Sequence, residues 1–382
     1  MQQKQPAEFR PEFRIIAEGQ DITAIIRENL VDISLTDNGG ATGKTDELQI
    51  TLLSETLKLP PKGARLSVAL GFNGQLVDKG WFVVSGRASS GPPRKIQLYA
   101  TSAPMNAQKQ PGDVQSQKSR SWDGVTLGDI VKTVATDNGL IPKIATQLAS
   151  IAIEHIDQVR ESDAALMTRL ARAHNAVSKA AGGYWLFLEQ GEATTASGGA
   201  LSNVTITQEA LSSWSYSDGQ RGATTGKPAK TADGKGKKGK VSVAYFDPAD
   251  GRTKTQSLEH DGPDQANPFT QPSKAQADSS AKSKMTQANR NERRMTLSGP
   301  CRPQYVPLTA EARITTAGFG EEEDRTWLIE SLAFSLSSSG LAMAFNLVTD
   351  IKAPAESKAK AAKKEKKSDG IGYFDNKSES KG

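Results

Sequence analysis

The residue types that most often carry chemistry are scarce in this chain, and their spacing decides what each could do. Gly234-Lys-Gly236-Lys-Lys-Gly239 matches G-x-G-x-x-G literally. A dinucleotide site needs that motif between a strand and a helix, whose N-terminus holds the pyrophosphate. Here polar KTAD precedes the run and strand-like VSVAYF follows it, so it reads as a loop. The three histidines are scattered: His155 in a strand-like stretch, His174 near the end of a helical one and His260 in a polar loop. Neither H-E-x-x-H nor G-x-S-x-G occurs, so zinc-peptidase and α/β-hydrolase chemistry have no local signature. Glu321-Glu322-Glu323-Asp324 lacks the alternate spacing of a calcium loop and reads as a solvated hairpin tip. Cys301 is the single cysteine; between Pro300 and Arg302 it reads as a packed, inert thiol. One cysteine makes no intramolecular disulfide, and no Cys/His cluster exists for structural zinc. A carboxylate pair of the glycosidase kind needs no sequence proximity, so that alternative stays open. No catalytic, cofactor-binding or metal residue is assigned, and no cofactor is expected.

Charge adds to this picture through its distribution. The chain of 382 residues has 48 Lys+Arg against 43 Asp+Glu, a net charge of +5. Residues 226–240 alone carry +5, and residues 352–367 carry another +5, so the remainder sits at −5. A nucleic-acid-binding domain usually carries positive charge on structured elements; this chain concentrates it in two low-complexity stretches, and no specific nucleic acid is expected as a partner. No apolar run approaches 18 residues, so no membrane span is expected. The beginning, MQQKQPAEFRPEF, lacks the apolar core of a secretory signal. A soluble protein made in a reducing cytoplasm is the expectation.

The elements that must position any site are mostly strands. Leu48, Ile50 and Leu52 alternate with Gln49 and Thr51, and Leu66, Val68 and Leu70 with Ser67 and Ala69, the period of a half-buried strand. Phe13–Ala17, Val31–Thr36, Gly80–Arg87 and Lys95–Ala100 read likewise, separated by the turns DNGGATG, LPPKGA, GFNGQL and SSGPPR. Short strands without intervening helices indicate an antiparallel sandwich or barrel. The pattern then changes. Thr126 caps a helical stripe of Leu127, Ile130, Val131, Val134 and Ala135 that ends at Gly139. Ser162 caps a second, with Leu166, Met167 and Leu170 on one face, expected to end before Gly182-Gly183. Ala152–Ile156 is a short strand candidate between them, making 122–182 a small α+β unit. Strand character returns in YWLFL, NVTIT, SSWSYS and VSVAYFD; DPADG then turns a hairpin back into TKTQSLE. Ala277, Ala281, Met285 and Ala288 mark a helix expected to face solvent. EARITTAGF, RTWLIESLAFSLS and LAMAFNLV complete the strands, and the Lys-rich tail has too little apolar surface to fold. With many strand edges to close or pair, a structural or binding protein outranks an enzyme.

Several segments together resemble one family. They are GQDITAIIRENLVDISLTDNGGATGKTDELQITL, LPPKGARLSVALGF, SGPPRKIQLYATSA, SRSWDGVTLGDIVKTVA, HIDQVRESDAALMTRLA and GPCRPQYVPLTAEARI. In this order, over about residues 9–350, they resemble the late control protein D family, the baseplate hub of contractile phage tails and R-type pyocin-like particles. The resemblance implies a mainly β fold with an α+β insertion: two tube-protein-like β-barrels per chain in a trimeric phage tail hub. It implies a first barrel at 8–106 and a linker with the small α+β domain at 107–182. The first half of a second barrel follows at 183–260, with the Lys/Gly-rich loop 226–240. A polar loop and helix occupy 261–297, the second barrel half 298–352, and a disordered basic tail 353–382. The implied partners are two further copies in a homotrimer, a central spike protein, the tail tube or a tube-initiator protein, the tape measure protein and other baseplate proteins. The implied role is structural rather than enzymatic: a spike adaptor with a central channel, in the tail baseplate of a virion or tailocin and in the host cytoplasm before assembly. The alternatives are a tail-associated peptidoglycan-degrading enzyme and a nucleic-acid binder using the Lys-rich segments.

Overall fold

Period-two alternation lays the first hundred residues into strands, as the sequence suggests. The computed structural model describes residues 9–103, 114–193, 199–219, 239–260 and 264–351. Most of the Lys/Gly-rich run and all of the basic tail lie outside the described residues. The N-terminal strands are β1 (Pro11–Ala17), β2 (Gln20–Asp21), β3 (Leu30–Asn38), β4 (Glu47–Leu53), β5 (Arg65–Phe72), β6 (Gln75–Ser90) and β7 (Lys95–Thr101), with helix α1 (Thr23–Asn29) before β3. Leu66, Val68 and Leu70 are buried on one face of β5, while Ser67 and Ala69 are only partly covered.

The insertion holds β8 (Gln117–Thr126), α2 (Leu127–Asp137), β9 (Ile141–Ile144), α3 (Thr146–Ala149), β10 (Ala152–Ser162), α4 (Asp163–Ala173), β11 (Ala176–Ala181) and β12 (Tyr184–Glu189). Both expected N-caps are present. Thr126 and Asp129 form a reciprocal capping box on α2, and the Ser162 hydroxyl accepts from the Ala165 N–H on α4. The α4 helix stops nine residues short of Gly182, however. Asn175 takes a left-handed φ of +49°, and the chain turns into β11, which pairs antiparallel with β12. Alanine-rich sequence has helix propensity here, but a ladder of hydrogen bonds to β12 outweighs it. The YWLFL strand, placed by sequence at the start of a second barrel, is β12 of this insertion and also pairs parallel with β9. Helices α2 and α4 bury Leu127, Ile130, Val131, Val134, Leu166, Met167 and Leu170 in one core beneath these sheets. Leu170→Ala is therefore expected to cost about 2–5 kcal/mol, read by urea denaturation; an unchanged midpoint would show this face to be free of packing.

The remaining elements are β13 (Asn203–Thr207), β14 (Ser213–Asp218), β15 (Gly239–Asp247), β16 (Arg252–His260), β17 (Gln265–Ala266), α5 (Lys274–Arg290), β18 (Arg293–Pro300), β19 (Arg313–Ala317), β20 (Thr326–Ser337) and β21 (Gly340–Thr349). The DPADG turn makes the expected hairpin, with Asp247 opposite Arg252. Helix α5 does not simply face solvent. Ala277 and Ala281 are fully buried against Val241, Val243 and Tyr245 of β15 and β17's small sheet. On the other side its Ser279 and Ser283 hydroxyls donate to the Ala173 and Arg172 carbonyls at the end of α4. Small side chains let the helix approach both neighbours closely.

The two strand-rich ends of the sequence share one sheet. Its order is β14-β18-β21-β20-β3-β4-β7-β6-β5-β1-β2, with β19 also on β20 and β13 on β19. The seam is the antiparallel β3–β20 pair, from Ser331 opposite Asn38 to Ser337 opposite Asp32. Leu35 faces Phe334 there and Ile33 faces Leu336, all buried. One apolar core underlies both halves, with Trp327, Phe82, Phe334 and Phe345 among its largest fully buried side chains. The hydrogen-bonded path through the described strands is open at β14 and β2.

Candidate functional site

The DNGG sequence that ends β3 is where the insertion meets the sheet. Gly39 donates to the Glu330 carbonyl of β20 at 2.8 Å, and Gly40 donates to Glu311 Oε1 at 3.2 Å. A Cβ on Gly40 would stand 2.4 Å from Val177 Cα, and one on Gly39 2.7 Å from the Glu330 carbonyl oxygen. Only glycine lets this turn pass between β11 and β20.

Around it the chain buries charge. Lys179 of β11 reaches across to Asp37 Oδ1 at 2.5 Å, Asp46 Oδ1 at 2.8 Å and the Asn38 carbonyl at 3.0 Å. The other Asp37 oxygen accepts from the Ala310 N–H at 3.0 Å, and Asp46 Oδ1 accepts from the Asn38 N–H at 2.9 Å. Burial pushes Asp46 up to about 6, with the Asp37 charge adding to it and the Lys179 charge opposing it. Burial alone would lower Lys179, but Asp37 and Asp46 more than reverse this and raise it. Two carboxylates share one ammonium, so the trio keeps an excess negative charge. Lys79 of β6 donates to the Val306 and Leu308 carbonyls, with its Nζ 4.5 Å from the Phe334 ring centroid. Burial pulls its pKa down to about 8. Burial raises Glu311 despite the Arg290 charge and backbone donors at Gly191 and Gly40. None of these five residues is marked by a sequence motif. The one legible signal is the glycine pair, which announces a turn but not the charges it brings together.

A second network lies inside the insertion, in the segments that carry the family resemblance. Asp163 is fully buried at the start of α4. Its carboxylate accepts from Lys118 at 2.5 Å, Asn138 Nδ2 at 2.7 Å, Gln158 Nε2 at 3.0 Å and Arg120. Arg120 also binds Gln158 Oε1 at 3.0 Å and Asp137 at 2.7 Å. Burial pushes the Asp163 carboxyl up, but the hydrogen bonds and the Arg120 charge win and leave it below the ordinary carboxylate range. The SRSW and HIDQ…ESD residues thus tie the β8–β10 ribbon to α2 and α4.

The residues weighed for chemistry are dispersed. Gly239 opens β15, and residues 234–238 lie outside the described residues. His155 is exposed on the β8–β10 ribbon, with ring nitrogens 2.5 Å from Asp123 and 3.2 Å from Asp157; the hydrogen bond to Asp123 leads in raising its pKa. His174 ends α4 and meets the Ser279 hydroxyl at 3.2 Å. His260 closes β16. In the acidic run, Asp324 accepts from the Gly318 and Phe319 N–H groups, while Glu322 pairs with Arg325 and Arg293. These carboxylates cap and brace the β19–β20 turn. Among the described residues no group of three or more His, Cys, Asp or Glu could hold a metal ion. Burial raises the Cys301 thiol to about 12. Maleimide at pH 8 is therefore expected to leave Cys301 unmodified in the native protein and to label it fully in denaturant; rapid native labelling would contradict the packing.

Comparison with known proteins places these networks. The family model for the phage tail baseplate hub (GPD) matches residues 114–340, from the insertion through β20. The chain belongs to the phage tail baseplate hub (GPD) family. It is 37% identical over 221 residues to the "Probable baseplate hub protein" of Escherichia phage P2, covering 58% of this chain and 56% of that protein. Against the protein of the same description in Escherichia phage 186 it is 34% identical over 237 residues, 61% of this chain and 60% of that one. The matches thus span little more than half the length of these hub relatives. In fold the chain is similar to the 43 kDa tail protein of prophage MuSo2 from Shewanella oneidensis, with a TM-score of 0.64 at 12% identity over 90% of this chain and 99% of that one. The Asp163 network falls within the matched residues, whereas of the five joint residues only Lys179 and Glu311 do.

Proposed function

We propose that the chain is the structural hub subunit at the centre of a contractile-tail baseplate. Three copies form a ring, each supplying two tube-protein-like barrel lobes, and the ring joins the tail tube to a central spike. A central channel admits the tape measure protein and DNA, and the chain performs no catalysis. The protein resides in the tail baseplate after assembly and in the host cytoplasm before it. The observation that carries this reading is the family match across 114–340. The β3–β20 seam supports it, because it joins the N-terminal and C-terminal strand sets edge to edge in one sheet. The buried joint supports it as well: Lys179, Asp37, Asp46 and Gly40 lock the insertion against the seam. Confined basic charge leaves the rest of the chain mildly acidic, which suits a channel that passes an anion without retaining it.

Co-expression with the central spike protein of the same tail is expected to yield a stable complex of three hub chains with one trimeric spike. Failure to co-purify, or peptidoglycan clearing by this chain alone in a zymogram, would overturn the proposal.

A further inference from the structure

Asparagine is followed by glycine three times in the chain, at Asn38, Asn73 and Asn138. Such a pair is chemically labile, because no glycine Cβ hinders the next backbone nitrogen from reaching the asparagine side-chain carbon. The fold treats the three pairs differently. Asn38 is buried at the end of β3, and the Gly39 N–H is committed to the Glu330 carbonyl at 2.8 Å. Asn138 is buried at the end of α2, and the Gly139 N–H is committed to the Thr136 carbonyl at 2.9 Å. In both pairs the nitrogen that would attack is locked and water is kept away.

Asn73 and Gly74 form the two-residue turn between β5 and β6, with Phe72 opposite Gln75. Both have positive φ, +50° and +80°, as a tight hairpin turn requires. Asn73 is exposed. Among the described residues the Gly74 N–H makes no backbone hydrogen bond, and a Cβ on Gly74 would meet nothing within 4 Å. The Arg10 N–H donates to Asn73 Oδ1 at 3.0 Å, which polarises the carbonyl that would be attacked.

We infer that Asn73 is a site of spontaneous deamidation in the folded protein, while the fold protects Asn38 and Asn138. Hydroxide takes the Gly74 amide proton, and the nitrogen attacks Asn73 Cγ to close a five-membered succinimide. The Cγ–Nδ2 bond breaks, and Nδ2 leaves as ammonia on taking a proton back from water. A second water opens the ring. Opening at Cγ gives aspartate; opening at the main-chain carbonyl carbon gives isoaspartate, whose main chain is one carbon longer. Aspartate keeps an acceptor for the Arg10 N–H, whereas the longer backbone of isoaspartate no longer fits a two-residue turn and loosens its two bonds to Arg10. The inference goes beyond the hub reading, since it rests on this turn alone.

Peptide mapping by mass spectrometry of the full chain, aged at pH 8 with and without urea, tests it. In the native protein Asn73 is expected to convert at least tenfold faster than Asn38 and Asn138, giving aspartate and isoaspartate. In urea the three are expected to convert at similar rates, because only the fold distinguishes them. Gly74→Ala is expected to slow conversion of Asn73 at least tenfold; if that variant does not fold, the comparison of native and unfolded wild-type chain carries the test. Native conversion of Asn38 or Asn138 as fast as Asn73, or none at Asn73 while the unfolded chain converts, would overturn the inference. Equal selectivity in urea would trace the preference to local sequence and overturn the protective role of the fold. Unchanged conversion in a folded Gly74→Ala variant would overturn the assignment of the attacking nitrogen. None of these outcomes bears on whether the chain trimerises, so failure here stays distinct from failure of the hub reading.

Discussion

Replacing Asp163 by alanine is expected to lower the unfolding free energy by about 3–5 kcal/mol, the cost of breaking a buried ion pair by removing one partner. The size follows from what is left behind. Lys118, Arg120, Asn138 and Gln158 all direct donors at this one carboxylate, whose side chain has no solvent exposure. Without it, the Lys118 ammonium loses its carboxylate and the Arg120 guanidinium keeps only Asp137. Asp163→Asn is expected to recover only part of the loss, because it keeps one acceptor but not the charge. Urea unfolding of both variants at pH 7 checks this, and a loss below about 1 kcal/mol for alanine, the range of an exposed pair, would show the network to be ornamental. The pH dependence has a definite sign. Asp163 has a folded pKa below the ordinary 3.8, so its contribution is present above that value and fades as pH falls through the lower folded pKa.

Lys179→Met is expected to have an effect of similar size, with the opposite pH dependence. Methionine keeps the stem but strands Asp37 and Asp46 together in the joint, at a cost of about 3–5 kcal/mol near pH 8. Asp46 already sits at about 6 when folded, above its ordinary 3.8. In the native protein its contribution is therefore full below 3.8 and is lost as pH rises through about 6. Removing Lys179 takes away the charge that opposes this shift, so Asp46 takes up its proton more readily. The variant should recover much of its loss at pH 5. An equal deficit at pH 5 and pH 8 would show that lost packing, rather than charge, explains the destabilisation.

Strand positions and helix starts were legible because they rest on local signals. Alternation in β4 and β5 and the side-chain caps at Thr126 and Ser162 need only neighbouring residues. The end of α4 was not legible, because Ala176–Ala181 has little β preference of its own and becomes a strand through its ladder to β12. The exposed reading of α5 failed for a related reason. An alanine stripe looks weakly amphipathic in sequence, yet small residues are what two close neighbours require. The joint was hidden because its members come from five places in the chain, at 37, 46, 79, 179 and 311. Buried charges look like surface charges until their partners are known. The collinear segments of the family resemblance did reach the right family, and the structure explains why they are distinctive. SRSW and HIDQ…ESD contribute Arg120, Gln158 and Asp163 to one interlocked network.

Native mass spectrometry of the full chain tests the hub account most directly. At micromolar concentration the account predicts one dominant species at three times the chain mass of 40.8 kDa, carrying a trimeric spike when that protein is added. A species of 40.8 kDa, with or without the spike, would contradict it.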